Sequence, residues 1–349
     1  MNASWQRLLS ATSARWSEDG ALLDFGHPEQ ELEGAVFEPV VCPLSDMAVI
    51  EVSGADALTF LQNQLSNDLR DLADGASRLA AYCTPKGRML ALFRVIRRGD
   101  AYLLCFPREL AEAIGKRLQM FVLRSKVVLR DVSEQWLVFG TADVGPEAAG
   151  LPALENDVAD AGVADDELIA VRVRDERLRF LWLGRPATVE TLLLERWRSV
   201  LLAGPQVWRW LDIRAGLPQV FAATQEEFIP QMANLDLIGG ISFNKGCYPG
   251  QEIVARMHYL GNLKRRMYHL TLAAPDVPAP GAEIRDPEGK LAGTLVMATP
   301  TPGGGCEGLA VLQIEMVGET PLLLDGQPLQ VRLPPYRLTP PAGAAARQP

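Results

Sequence analysis

Apolar residues fall along this chain in short blocks whose period changes every ten to fifteen positions. Residues 47–53 are an almost unbroken apolar run that stops at Gly54, which predicts a strand. Over 56–65, Leu58, Leu61 and Leu65 recur three and four apart, which predicts a helix. Strands are predicted at 78–84 and 88–97 around a Pro85-Lys86-Gly87 turn, and at 101–106 after Gly99-Asp100. An amphipathic helix at 108–122 and a strand at 126–132 follow. The order β-α-β-β-β-α-β is that of an α+β domain, with helices on one face of a mainly antiparallel sheet. A strand starts at 135–140. Residues 141–166, rich in Ala, Gly, Pro and acid, lose the pattern and predict a long surface loop.

The sheet pattern resumes at 167–174 and 178–183. Helices are predicted at 188–202 and 206–215, the second stopped by Gly216-Leu217-Pro218. After 267 come short strands between Pro/Gly turns, at 268–272, 283–285, 291–297, 307–313 and 329–333, the pattern of a small β-barrel. The expected organisation is an irregular arm over 1–40 with one short helix near 5–15, an α+β region over 41–264 made of two interleaved subdomains, a barrel over 265–337 and a disordered tail over 338–349.

Composition narrows the function classes. Hydrophobic residues are 48% and charged residues 22%, ordinary for a soluble globular protein. A net charge of −9 excludes a general polyanion binder, so any nucleic-acid contact requires a local patch. The five cysteines contain no C-x-x-C pair and the three histidines are dispersed, so no permanently bound metal is expected. No apolar run of about 18 residues and no signal-peptide pattern occur, so the expectation is a reduced, cytoplasmic protein without a membrane partner.

One stretch concentrates chemistry: Phe243-Asn244-Lys245-Gly246-Cys247-Tyr248-Pro249-Gly250-Gln251-Glu252. Its glycines mark backbone needing unusual dihedrals or close approach, and Pro249 fixes its own φ. A helix is predicted from 251, with Glu252 four residues before Arg256. Cys247 thus stands just ahead of a helix N-terminus and two residues from Lys245, and both features favour a thiolate. The alternative is a buried, inert cysteine. Between 243 and 266 the basic residues are Lys245, Arg256, Lys264, Arg265 and Arg266 against the single acid Glu252, a local charge of +4. Such a stretch is either a solvated face or a site for a carboxylate tail or phosphate backbone. Weaker signals are the Tyr82–Arg88 turn, the amide-rich 62–68 segment and Trp208, whose indole is either core or a stacking surface for a heterocycle. No G-x-G-x-x-G after a strand, G-x-x-x-x-G-K-[ST] or H-E-x-x-H occurs.

Lys245-Gly246-Cys247-Tyr248-Pro249-Gly250-Gln251-Glu252 resembles the K-G-C-Y-x-G-Q-E signature of the folate-binding YgfZ family. That family is related to the glycine-cleavage T-protein aminomethyltransferase and to a mitochondrial iron–sulfur assembly factor. Further similarity lies at Phe60–Asp68, Ala81–Met89, Ile213–Pro218, Phe228–Gln231, Asn234-Leu235, Gly239–Phe243 and Lys264–Arg266, so the resemblance spans roughly 40–337. It implies a T-protein-like fold of intertwined α+β units around a central folate channel, with a C-terminal β-barrel. It implies tetrahydrofolate or a derivative as cofactor, and a role in assembly or repair of iron–sulfur enzymes, including tRNA-thiolating ones. Iron–sulfur client or assembly proteins would be partners, and direct RNA contact through the basic stretch is a further reading. Cys247 matches the functional cysteine, with Lys245 as its activator and a transient iron–sulfur ligand role for the thiol. Trp208 matches a folate-site tryptophan, and Met47 falls where a second one stands. Tyr248, Gln251 and Arg256 complete the expected cofactor contacts.

The chain departs from the T-protein where that enzyme carries a catalytic Asp pair: Leu90 and Ala91 stand there. Leucine cannot act as a general acid or base, so ordinary aminomethyl transfer is not expected. The enzymatic alternative is a folate-dependent one-carbon transferase or demethylase acting on another amine.

Overall fold

The structure, a computed structural model, describes residues 3–154, 158–259, 261, 263–274 and 276–338. The predicted tail lies outside the described residues except for its first position. Two compact units interleave along the chain: residues 1–60, 71–78 and 94–209 form one, and residues 61–70, 79–93 and 210–349 the other.

The first unit holds a six-stranded sheet. Its order is Gly162–Ala164, Leu168–Arg172, Arg179–Gly184, Leu137–Ala142, Val40–Pro43 and Leu201–Leu202, antiparallel except for the last pair. The central strands are buried at every position, which is why they read as continuous apolar runs. Phe139 stacks on Trp182 at 5.7 Å, and Trp197 meets Trp182 edge-on at 5.5 Å. The Trp182 Nε1–H donates to Thr141 Oγ1 at 2.8 Å, so the buried indole is satisfied.

Residues 3–40 hold more regular elements than the expected arm with one short helix. They form a helix Ala3–Leu8, a hairpin of Arg15–Trp16 with Leu22–Asp24, and a helix Pro28–Gly34. Trp5, Leu9 and Phe25 belong to the same core as Trp182. Three short elements give too few repeats for a period to show. The expected loop over 141–166 is also partly ordered: Pro146–Ala149 is a 3₁₀ turn and Gly162–Ala164 the outer strand of the sheet. The helix expected over 188–202 runs only over Pro186–Thr191. It passes into a π-helical turn at Leu192–Arg196 and then the two-residue strand Leu201–Leu202.

In a second, antiparallel sheet Met47–Ser53 lies between Ala101–Pro107 and Val128–Asp131. Residues 94–98 pair on the far side of Ala101–Pro107. A 3₁₀ turn Arg108–Leu110 leads into the helix Ala111–Met120, which buries Ile114 and Leu118. Strands Ser77–Cys83 and Met89–Arg98 carry the chain into and out of the second unit.

The second unit combines 61–70, the turn between those two strands, an irregular segment after Gly216, the helix Gln251–Tyr259 and a closed six-stranded barrel. The barrel runs Arg265–Leu272, Cys306–Gln313, Leu291–Pro300, Glu283–Arg285, Leu323–Leu324 and Gln327–Arg332. Leu270, Leu295, Ala310 and Leu312 fill it. Asn234, fully buried with φ +59°, donates to the Met267 carbonyl at 2.9 Å, and Tyr336 donates to the Gly216 carbonyl at 2.9 Å. These bonds fasten the irregular segment to the barrel. Among the described residues no helix is long and apolar enough to cross a membrane.

Candidate functional site

The signature stretch is a loop held from beneath by segment 61–70. Ser66 Oγ donates to the Gly240 carbonyl at 2.7 Å, and Ser242 N–H donates to the Ser66 carbonyl at 3.0 Å. Asn67 Nδ2 donates to the carbonyls of Leu79 and Gly239 at 2.7 and 2.6 Å. The amide-rich 62–68 segment is therefore a clamp that delivers the chain into the loop. Lys245 completes it. Only 7% exposed, its ammonium donates to the carbonyls of Gln62 and Leu65 at 2.6 and 2.5 Å and lies 5.1 Å from the Tyr248 ring centre. Burial holds its pKa down to about 8, against a smaller opposing pull from Asp68.

The far side of the loop rests on the Thr84–Arg88 turn. Gly250 has φ +83°, and a Cβ on it would fall 2.5 Å from the Thr84 oxygen and 2.6 Å from Gly87 Cα. Gly87, at φ +72°, in turn faces Ile253 of the helix. Gly246 differs: it is absent from the left-handed region, and a Cβ there would meet nothing within 4 Å. The unusual-backbone expectation holds for Gly250 and not for Gly246, whose smallness leaves the surface beside Cys247 open.

Cys247 itself is exposed, the only one of the five cysteines that is. Cys83 and Cys105 are buried, and burial pushes each thiol up to about 12; burial raises Cys42 and Cys306 too. Cys247 lies four residues before the helix Gln251–Tyr259 and makes no hydrogen bond among the described residues. His258 does not pair with it; the imidazole stacks on Phe243 at 3.8 Å between ring centres, with Tyr259 edge-on at 4.7 Å. Tyr248 is buried, which raises its phenol well above the usual range. Gln251 is half-buried at the helix start, where its N–H donates to the Tyr248 carbonyl at 3.1 Å. Arg256 and Glu252 are both exposed, and no ion pair joins them.

The basic stretch separates into two kinds of cation. Arg266 is buried and forms a two-pronged pair with Asp236 at 2.6 and 2.9 Å, so with Lys245 it belongs to the scaffold. Arg256 and Lys264 are exposed and Arg265 half-buried. Leu90 and Ala91 are buried in the strand beside the loop, where the Leu90 carbonyl accepts from Gln225 Nε2 at 2.7 Å.

Two glutamines of this unit, each inside a segment singled out in the sequence, have an environment that the sequence does not show. Gln231 Oε1 and Gln64 Oε1 are shut away from solvent with no donor among the described residues, although Gln231 Nε2 donates to the Val254 carbonyl at 2.6 Å. The sequence marks them only as members of those segments, because burial of a side-chain oxygen without a donor depends on the fold.

Trp208 and Met47 belong to the first unit. Trp208 is 5% exposed; Gly140 leaves the room its ring occupies, and the Arg179 guanidinium lies 4.0 Å from the ring centre. Met47 is half-buried at the head of its strand, paired with Pro107. Among the described residues no three His, Cys, Asp or Glu side chains are grouped to hold a metal ion.

Residues 25–178 match the family model of the GCVT N-terminal domain, and residues 264–336 that of the CAF17 C-terminal β-barrel domain. The chain is 31% identical over 322 residues to the tRNA-modifying protein YgfZ of Enterobacter sp. (strain 638), covering 89% of this chain and 97% of that one. The chain belongs to the YgfZ family. Its fold is that of the glycine-cleavage T-protein: the aminomethyltransferase T structure from Bartonella henselae superposes with a TM-score of 0.77 at 18% identity, covering 94% of this chain and 96% of that one. The YgfZ signature read from sequence is thus the loop that Lys245 and Gly250 fix in place.

Proposed function

We propose that this protein binds tetrahydrofolate and supports the assembly or repair of iron–sulfur enzymes, tRNA-modifying ones among them, through the thiol of Cys247. The observation that carries this reading is the exposure of Cys247, alone among five cysteines, on a loop clamped from both sides. A thiol so presented reaches the iron or sulfur of a partner, while the rigid loop keeps it from collapsing into the core. The relative's description as tRNA-modifying fits client enzymes that thiolate tRNA.

Folate chemistry fits the residues present. The pterin ring offers N–H donors, and Gln231 Oε1 and Gln64 Oε1, without a donor among the described residues, are the acceptors to be tested against it by substitution. Arg256, Lys264 and Arg265 are the cations free to meet the glutamate tail, and Trp208, Met47, Tyr248 and Gln251 are further contacts to be tested singly. When bound, a reduced folate supplies a carrier of one-carbon units. Leu90 and Ala91 offer no acid to move a proton in aminomethyl transfer, which favours the accessory role over the transferase alternative.

The test is complementation of a strain lacking its own YgfZ-family protein. Cys247→Ala is expected to fold, to bind tetrahydrofolate as wild type does, and to fail to restore thiolated tRNA nucleosides. Full restoration by that variant removes the thiol from the function. A thiol-labelling control should show one fast-reacting cysteine in the native protein and none in the variant.

A further inference from the structure

In the first unit a cavity of about 850 Å³ opens between the helix Ala111–Met120 with its preceding turn and the strands Met47–Ser53 and Val128–Asp131. Val128–Asp131 is the outer strand of its sheet. Leu129, Ile50 and Met120 give the groove apolar walls, and its charged lining is Arg108, Lys116, Arg130, Glu112 and Asp131.

Arg108 is the informative residue. Its Nε and Nη2 are excluded from solvent and have no hydrogen-bond partner among the described residues, although its backbone N–H is used on the Asp46 carbonyl at 2.8 Å. Nε–H and Nη2–H are the parallel pair of a guanidinium, the fork that grips both oxygens of a carboxylate. Arg15 presents that same pair to Asp24 elsewhere in this unit, at 2.5 and 2.6 Å. In Arg108, which lines the groove, neither donor of the fork has a partner among the described residues. Rotation about the side-chain torsions brings it into the groove, and an entering carboxylate gives it the partner it lacks.

The rim carries the matching charge and apolar surface. The charged lining of the groove is Arg108, Lys116 and Arg130 against Glu112 and Asp131, and the Asp131 carboxylate already accepts from Ser133 N–H and Oγ; residues 116–130 add Arg117, Arg124 and Lys126 nearby in sequence. Lys116 is held by Glu112 at 2.5 Å. Met120 is 64% exposed and Leu123, at φ +48°, 86% exposed; Phe121 and Val128 are exposed as well. Exposed aliphatic side chains beside a concave site call for a partner that is apolar as well as anionic. An RNA backbone leaves the aliphatic groups uncovered, and a flat lipid surface does not enter the groove.

We infer that this groove docks an acidic, leucine-type segment of a partner protein, with one carboxylate on the Arg108 fork and apolar side chains against Met120 and Leu129. The groove belongs to the first unit and the Cys247 loop to the second, and docking in the groove does not depend on the folate reading.

The probe is a fluorescein-labelled peptide alternating Glu and Leu, read by anisotropy against the full-length protein. Its controls are the same peptide with Gln for Glu and a single-stranded RNA 20-mer. Arg108→Gln removes the fork. Gly115→Met fills the groove from the helix, where an added Cβ meets only Ile50 Cδ1 at 3.5 Å. The expected result is tenfold or greater weakening of the acidic peptide in both variants, weak binding of the Gln peptide, no competition by RNA, and unchanged tetrahydrofolate affinity. Equal affinity in wild type and Gly115→Met, equal binding of the Gln peptide, or displacement by RNA overturns the proposal. Thermal unfolding of both variants at the wild-type midpoint keeps a folding defect from imitating the expected loss.

Discussion

Gly250 and Gly87 lie backbone to backbone: a Cβ added to Gly250 would stand 2.6 Å from Gly87 Cα and 2.7 Å from its nitrogen. This approach seats the signature loop on the Thr84–Arg88 turn, so two segments far apart in sequence share one position. Gly250→Ala meets both the steric clash and a φ of +83°. It should cost at least about 2 kcal/mol in urea unfolding. Gly246→Ala, with open space around it, should stay within about 0.5 kcal/mol. Equal effects at the two positions would show that the contact with Gly87 does not constrain the loop.

Much of this arrangement could be read before the fold was known, and the reasons are local. The strand 47–53 and the barrel strands announced themselves because their apolar runs are bounded by Gly and Pro. The signature loop was visible because glycine, cysteine and proline at fixed spacing have few structural uses. Of the N-terminal elements only one short helix is legible, because each is shorter than two repeats of its own period. Leu192-Leu193 and Leu201-Leu202 looked like one helix because a pattern of leucines cannot separate a π turn from a two-residue parallel strand. Lys245 was expected as an activator of Cys247. Its ammonium instead holds the Gln62 and Leu65 carbonyls, partners from a segment some 180 residues earlier. Sequence distance conceals such a bond.

The burial of Lys245 gives a pH dependence with a definite sign. Its folded pKa, about 8, lies below the ordinary 10.5, so between those values the unfolded chain binds the proton and the folded chain does not. Stability from this group therefore rises with pH across that window and is level below it. The difference in unfolding free energy between wild type and Lys245→Met should grow in favour of wild type from pH 8 to 10, on the order of 1–2 kcal/mol. Taking the difference cancels the tyrosines that titrate in both. A flat difference across that range would mean that the ammonium is well hydrated.

The two kinds of cation around the loop separate stability from binding. Arg266→Met leaves Asp236 partly buried without its partner, at a cost of about 3–5 kcal/mol in unfolding free energy. Arg256→Gln, at an exposed position, should change stability by less than about 0.5 kcal/mol. If the cations hold the glutamate tail, Arg256→Gln weakens a polyglutamylated tetrahydrofolate more than the monoglutamate, and the gap narrows as salt is raised. Calorimetric titration of both ligands measures this, and identical losses for the two place Arg256 away from the tail.

Trp208 requires two variants, because its burial mixes packing with ligand contact. The ring fills space left by Gly140 and lies under the Arg179 guanidinium. Trp208→Ala opens a cavity and should cost about 3–5 kcal/mol, so weakened tetrahydrofolate binding in that variant alone proves little. Trp208→Phe retains an aromatic face against Arg179 at a smaller packing cost. If the indole edge touches the pterin, Phe lowers affinity several-fold while the unfolding midpoint moves much less than in Ala. If Trp208 is only core, affinity in the Phe variant matches wild type, and the loss in Ala follows the loss of stability. Titrations at a temperature where all three proteins are fully folded distinguish the two, because a packing defect then no longer depletes the binding-competent population.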